Sequence, residues 1–392
     1  MQKLNNNTDI LMMSDLTKLF RSGCKSKDEF KIGLEYEKIA VNPATGKAIS
    51  FSQENGISIF LKKYREIGNW EFITENNIPI GIKREQGDIT IEPGSQFEIS
   101  LSPSKDIASI IKNINEYNDI TSNIADEMGF QWIGYGMQPV STYENIELIP
   151  KKRYDFMSKY LPTVGENALV MMKETAGMQV TLDYESEEDA MLKLRTGIAL
   201  SPIVSAMFAN SPIRNGKETG YRSYRSKAWL STDNSRCGLI SEKLFDLNYD
   251  FTFEDYAKIV LEVPMIFISR NGHDVKVENT TFREFLNSGY QGFKPTIDDW
   301  YLHLSLYFPD VRLKNFLEFR NCDCQRAELM PALPAFWKGI IYNKQAIDAA
   351  LDVMKVFNWQ DLNEIRHITP KEALNCEVNG VKIHEIAKEL ID

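Results

Sequence analysis

Apolar residues recur along this chain with two periods. Between residues 104 and 128, Ile107, Ile110, Ile111, Ile114, Tyr117 and Ile120 fall near the 3.6-residue spacing of a helix, and Gly129 ends the run. A second helix is expected over 186–210. It opens on Ser186-Glu187-Glu188-Asp189, the pattern of a capping box, and should bend at Pro202, which has no N–H to bond the preceding turn. Further helices are predicted over 252–263, 296–308, 345–357 and 370–391, the last interrupted near Asn379-Gly380.

Other segments alternate with period two. In KIGLEYEKIAV (31–41), Ile32, Leu34 and Tyr36 share one face, and Glu35 and Glu37 share the other. ITIEPGSQFEISL (89–101) sets Ile89 and Ile91 against Glu92, then Phe97, Ile99 and Leu101 against Gln96, Glu98 and Ser100. In GMQVTLDY (177–184), Met178, Val180 and Leu182 oppose Gln179, Thr181 and Asp183. In NFLEFRN (315–321), Leu317 and Phe319 oppose Glu318 and Arg320. One greasy and one polar face per strand is expected of an antiparallel sheet with helices behind it and an open front. The helices come in blocks and do not alternate strictly with strands, which favours an α+β fold over a doubly wound one. Neither GxGxxG nor GxxxxGK[ST] is present, so a Rossmann or P-loop site has no support.

Composition removes several function classes. The 392 residues are 43% apolar and 26% charged, an ordinary globular balance with room for a substantial core. Lys and Arg number 45 against 55 Asp and Glu, a net charge of −10 without a basic run, which argues against nucleic acid and anionic membranes as partners. The weakly polar stretch 197–213 is broken by Ser201, Pro202, Asn210 and Pro212 and does not read as a membrane span. MQKLNNNTDILMM at the start lacks a basic-then-apolar signal pattern, so a cytoplasmic protein is expected. No internal repeat or low-complexity tract stands out. Five scattered cysteines do not suggest a disulfide framework, and Cys322-x-Cys324 has no second pair at zinc spacing. The four histidines never form H-x-x-H or HExxH; His303 is expected to pack or hydrogen-bond on a helix.

The acids on the strands are the informative ones. Glu35, Glu37, Glu92, Glu98 and Glu318 all occupy polar parities, whereas glutamate is depleted in strands. A solvated sheet face would explain any one strand. If the strands are neighbours, however, like charges stand opposite one another and destabilise the sheet unless a cation neutralises them or their pKa values rise. Carboxylates with no cysteine or histidine nearby select Mg²⁺ or Mn²⁺, and Mg²⁺ favours sites shared with substrate phosphates. This suggests a nucleotide-using phosphoryl-transfer site. Basic residues belong in such a site: Arg320 lies two residues from Glu318, while Arg225 and Arg236 fall in Ser/Asn/Gly-rich stretches that read as loops.

The strings FRSGCKSKDEFKIGLEYEK (20–38), QGDITIEPGSQFEISLSP (86–103), RYDFMSKYLPTVGENALVMMKETAGMQVTLDY (153–184), DWYLHLSLYFPDVRLKNFLEFRNCD (299–323) and ALPAFWKGIIYN (332–343) occur in that order. Together they closely resemble the plant-type glutamate–cysteine ligases, in the carboxylate–amine ligase family. The resemblance implies a glutamine-synthetase-like α+β fold, an antiparallel sheet bent into a funnel with flanking helices. It implies a catalytic domain over 1–343 with a helical extension, 344–392, packed on it. The implied reaction is ATP-dependent: a γ-glutamyl phosphate forms and the amine of cysteine displaces phosphate. ATP is then a co-substrate and Mg²⁺ or Mn²⁺ the cofactor, in a monomer or homodimer.

By position, the resemblance makes Glu35, Glu37, Glu92, Glu98 and Glu318 metal ligands and sets Arg320 on the transferring phosphate. Gln179 would face nucleotide or metal, Arg225 would hold the acid's carboxylate, and Arg236 would be a second anion contact. Lys38, Met172 and Trp229 are candidates to line the pocket. The sequence departs from the family's pattern in two places near the site. NCDCQRAELMP (321–331) replaces a glycine-rich stretch, and Arg222 stands where an apolar residue is usual, adding a charge close to Arg225. Val277 and Pro331 occupy two positions of the plant redox cysteines, so thiol switching of that kind is not expected. A ligase for a different acid or amine is the alternative activity, and a non-catalytic nucleotide-binding relative the alternative class.

Overall fold

A computed structural model of the chain describes residues 11–85, 87–246, 248–270 and 273–392. Most of the N-terminal segment on which the cytoplasmic expectation rests, residues 1–10, therefore lies outside the described residues. The sheet is built from β1 (Ile32–Val41), β2 (Glu71–Glu75), β3 (Ile78–Arg84), β4 (Gly87–Ile91), β5 (Phe97–Leu101), β6 (Gln131–Ile133), β7 (Gly177–Leu182), β8 (Val311–Leu313) and β9 (Leu317–Asp323); the four alternating segments supply β1, β4, β5, β7 and β9, while β2, β3, β6 and β8 were not expected from the sequence. Among the described residues these nine form one sheet in the order β8-β9-β7-β1-β5-β4-β3-β2, with β6 pairing the end of β1. Every neighbouring pair is antiparallel. The strands carrying Glu318, Gln179, Glu35, Glu37 and Glu98 are thus consecutive neighbours, although they come from distant parts of the chain.

The apolar parities of these strands are buried under helices. Leu34, Tyr36, Ile99, Val180 and Leu182 are fully covered, each side chain contributing roughly 1.5–3 kcal/mol by leaving water. The helix Ile107–Met128 starts at Asp106, whose side chain accepts from the N–H of Ser109, and stops at left-handed Gly129. The helix Glu187–Met207 packs on β9, close enough at Gly197 that a Cβ would meet Phe319 at 2.7 Å. Ser186 caps this helix by accepting from Asp189 N–H, but the Asp189 carboxylate turns to Glu185 N–H, one residue before the cap, so the box is only half formed. The helix also runs on through Pro202: the Ser201 hydroxyl donates to the Ile198 carbonyl that proline leaves without a backbone donor. No described helix is long and apolar enough to cross a membrane.

The region after residue 344 differs from its expected pattern. Lys344–Met354 is a helix, but the next one is Trp359–Glu372, with Pro370 inside it, where 370–391 had been expected to form a helix. Asn379 and Gly380, both with positive φ, then turn a two-residue hairpin (Glu377–Val378 with Val381–Lys382) before a last helix, Ile383–Ile391. Asn-Gly is a strong short hairpin signal, and here it prevails over helical periodicity. These helices pack against Glu187–Met207 and against one another. His303 is buried, with Nε2 at 3.0 Å from the Val260 carbonyl, and burial pushes its pKa down to about 3.

Candidate active site

On the polar face of the sheet lies a cavity of about 480 Å³. Its walls include Glu35 and Glu37 of β1, Glu98 of β5, Gln179 of β7, Glu318 and Arg320 of β9, and Glu92 from the β4–β5 turn. Met172 and Trp229 also line it. That turn is built for close approach: Ser95 is left-handed, and a Cβ at Gly94 would stand 2.1 Å from the Lys173 carbonyl. Gln96 locks the turn in place, donating to the carbonyls of Met172 (3.1 Å) and Thr175 (2.8 Å).

One end of the cavity holds acids that, among the described residues, form no ion pair. Glu37 and Glu98 are direct cross-strand partners, and Glu35 stands opposite Gln179. Glu37 accepts from Gly177 N–H at 2.7 Å, Glu98 from Thr90 Oγ1 at 2.9 Å, and Glu92 from the Tyr154 hydroxyl at 2.7 Å. Burial, and then the charge of Glu92, pushes the Glu37 pKa up to about 7. Glu98 is held well above the carboxylate range by burial and then by Glu92, Glu35 and Glu37. Glu35 is raised by burial and then by Glu318, against the pull of Lys314, Arg320 and Arg312. Among the described residues no three His, Cys, Asp or Glu side chains stand close enough, as placed, to hold an ion between them.

The other end is a knot of matched charge. Both oxygens of Glu318 are taken: Oε1 by Lys314 at 2.9 Å, Oε2 by Arg312 at 2.6 Å and Arg320 at 2.8 Å. Burial alone would raise its pKa, but the three cations outweigh burial and hold it well below the carboxylate range. Arg320 also donates to Gln179 Oε1. Its strand is bulged between Phe319 and Cys322, and such a bulge re-aims side chains. Arg153, at the start of the helix Lys152–Tyr160, adds a further cation to the cavity wall and is fastened to Ser305 by two 2.7 Å bonds.

Four expected site residues lie elsewhere. Arg225 is on a short helix, Tyr224–Leu230, and not in a loop. It lines a smaller adjoining cavity of about 40 Å³ that shares Arg320, Trp229 and Phe308 with the large one. Its guanidinium donates to the Arg320 carbonyl at 3.0 Å. Arg236 is only 1% exposed, donating to Asp233, to the carbonyls of Leu306 and Pro264, and to the Tyr160 hydroxyl, so no donor of it faces the cavity. Lys38 shares the parity of Leu34 and Tyr36 and points behind the sheet, donating to Thr121 Oγ1 at 3.0 Å; burial lowers its pKa to about 8. Arg222 is exposed and lines neither cavity. The glycine-free segment is anchored instead of loose: Asp323 accepts from Asn210 N–H and the hydroxyls of Ser211 and Ser223.

Arg312, Lys314, Lys151 and Arg153 complete the basic wall and were not singled out in the sequence. A signal existed for two of them. In VRLK (311–314), Arg312 and Lys314 alternate with Val311 and Leu313 immediately before the LEFR strand, the pattern of a hairpin with a charged face. Arg153 and Lys151 carry no such mark, because only packing brings their segment over the sheet.

A half-open cavity with an acidic end and a basic end, set on an antiparallel sheet, marks the class of proteins that bind small, multiply charged molecules. The comparisons narrow the class. A model of glutamate-cysteine ligase family 2 (GCS2) matches residues 31–391, and the chain belongs to that family. It is 36% identical over 384 residues to the chloroplastic glutamate–cysteine ligase of Nicotiana tabacum, covering 97% of this chain and 72% of that one. The corresponding enzyme of Arabidopsis thaliana is 36% identical over 387 residues, covering 98% and 73%. Among solved structures, glutamate–cysteine ligase of Francisella tularensis in complex with AMP superposes with a TM-score of 0.57 at 13% identity, over 93% of this chain and 77% of that chain, a likeness of fold.

Proposed function

We propose that this chain is an ATP-dependent glutamate–cysteine ligase. ATP phosphorylates the γ-carboxylate of L-glutamate, releasing ADP. The cysteine amine then attacks the acyl carbon, phosphate leaves with the bonding pair, and the amine's proton is lost to give γ-glutamylcysteine. Phosphorylation makes a poor leaving oxygen a good one. The observation that carries the reading is the two-ended cavity, in a chain that matches, over nearly its whole length, relatives bearing this enzyme's name.

The donor set suits a hard divalent ion: Glu35, Glu37, Glu92 and Glu98 offer only oxygen, and Glu37 and Glu98 face each other without a cation between them. Their spacing provides no closed cage, which is consistent with Mg²⁺ shared between carboxylates and substrate phosphates. When bound, Mg²⁺ or Mn²⁺ would offset the charge of the triphosphate. Glu318 can join this set only by giving up one of the cations that occupy its oxygens. Arg320 is suited to meet charge on the transferring phosphoryl group, with Gln179 fixing the guanidinium, while Met172 and Trp229 shape the wall. Arg225 would reach an amino-acid carboxylate only from the adjoining small cavity.

ADP release measured with Mg²⁺ and ATP over a panel of acids and amines tests the proposal. Turnover that requires both glutamate and cysteine is expected. A different productive pair, or nucleotide binding without turnover on any pair, overturns it.

A further inference from the structure

The helix Trp359–Glu372 contributes nothing to the sheet, yet one of its side chains reaches the small cavity beside the active site. Arg366 lines the small cavity together with Arg320, Trp229 and Phe308. Its Nε donates to Asp310 Oδ2 at 3.3 Å. Its guanidinium lies over Gly238, where a Cβ would stand 2.6 Å from Cζ. Gly238 in turn accepts from the Asp310 N–H at 2.9 Å, and Ser201 Oγ lies 3.4 Å from Asp310 Oδ2. Asp310 is therefore held at its amide and at its carboxylate.

The carbonyl of Asp310 accepts the Arg320 N–H at 2.9 Å. Arg320 opens the bulge at which the β9–β7 ladder is broken, so this bond stands where a sheet partner is missing. Asn321, the next bulge residue, donates to the Ser201 carbonyl and, at 2.7 Å, to Ser205 Oγ, both on the helix that carries Pro202. The bulge is thus held at the Arg320 N–H by Asp310, at the Arg320 carbonyl by Arg225 and at Asn321 by Ser201 and Ser205, and the first of these ends in the C-terminal helices.

We propose that Arg366 is a positioning residue: through Asp310 it holds the bulge that aims the Arg320 guanidinium at Glu318 and Gln179. The C-terminal helices are then part of the catalytic apparatus and more than a cover for the helix Glu187–Met207. The proposal rests on the reading that Arg320 meets the charge of the transferring phosphoryl group. A misplacement of about 1 Å in such a group costs up to about 100-fold in rate.

Full-length Arg366→Met, Arg366→Lys and Asp310→Asn variants test it, together with a crystal structure of Arg366→Met. The methionine variant should lose ~10- to 100-fold in kcat, with KM for ATP within about twofold of the parent. The lysine variant should recover part of the loss. Asp310→Asn should match Arg366→Met, and the double variant should be no worse than either single one, as expected of residues acting in series. In the crystal structure Arg320 should have left Gln179 and Glu318. Unchanged kcat, additive losses, or an unmoved Arg320 overturns the proposal. If the parent protein shows no glutamate- and cysteine-dependent ADP release, the reading of the reaction falls, and the position of Arg320 in the variant still decides this inference. If Arg366→Met does not fold, Arg366→Lys and Asp310→Asn carry the same measurements.

Discussion

Glu318 and Glu37 are the same residue type on the same face of one sheet, and they are held in opposite electrostatic states. Three cations surround Glu318, drive its pKa far down and occupy both of its oxygens. Glu37 faces Glu98 across the ladder and, with burial and Glu92 against it, has its pKa pushed up to about 7. The difference shows where the protein matches charge and where it leaves carboxyls unpaired. At the Glu318 end the protein supplies its own counter-ions, and the arrangement is complete. At the Glu37 end it leaves carboxyls that must hold a proton or meet an incoming cation, at a cost to the stability of the metal-free fold when they ionise.

Substitutions should separate the two ends by sign. Glu318→Gln removes the buried anion that three cations share, so it should destabilise the protein by about 3–5 kcal/mol in denaturant unfolding and abolish activity. A stability equal to the parent's would break the comparison. Glu37→Gln should act in the other direction on the metal-free protein, stabilising it by about 1–3 kcal/mol at pH 8 while activity is lost.

The sign follows from linkage. A carboxyl whose folded pKa is raised from 4.5 to about 7 contributes its stability below pH 4.5 and loses it as pH rises through about 7. The gain from Glu37→Gln should therefore shrink toward nothing near pH 4.5. The smallest effect is on Mg²⁺ itself. Because protons compete for the same oxygens, added Mg²⁺ should raise Tm by more at pH 8 than at pH 6, and Glu37→Gln should narrow that gap. An Mg²⁺ shift independent of pH would argue that the raised carboxylates are not the ones that bind the ion.

Much of this site could be read in the sequence, for a specific reason. Strand side chains alternate with period two, so Glu35, Glu37, Glu98, Glu318 and Arg320 declare their face without any knowledge of their neighbours. The same rule, applied strictly, would have excluded Lys38, which shares parity with Leu34 and Tyr36. Asn379-Gly380 was likewise legible as a break in the 370–391 helical pattern, but not as the hairpin it forms. Arg236 was not legible: a loop arginine that spends its donors on Asp233, two carbonyls and a tyrosine has the same local sequence as one that awaits a ligand.

By itself, then, the sequence determined the α+β class, the antiparallel strands and which acids face the front, because local periodicity and propensity carry that information. The tertiary structure alone decided which acids would be matched by cations. Arg312 and Lys314 reach Glu318 across a hairpin, Glu37 meets Glu98 from a strand some sixty residues away, and Arg366 arrives from the C-terminal helices. Charge pairing acts over a few ångströms of space, not of chain, and only the packed fold sets those distances.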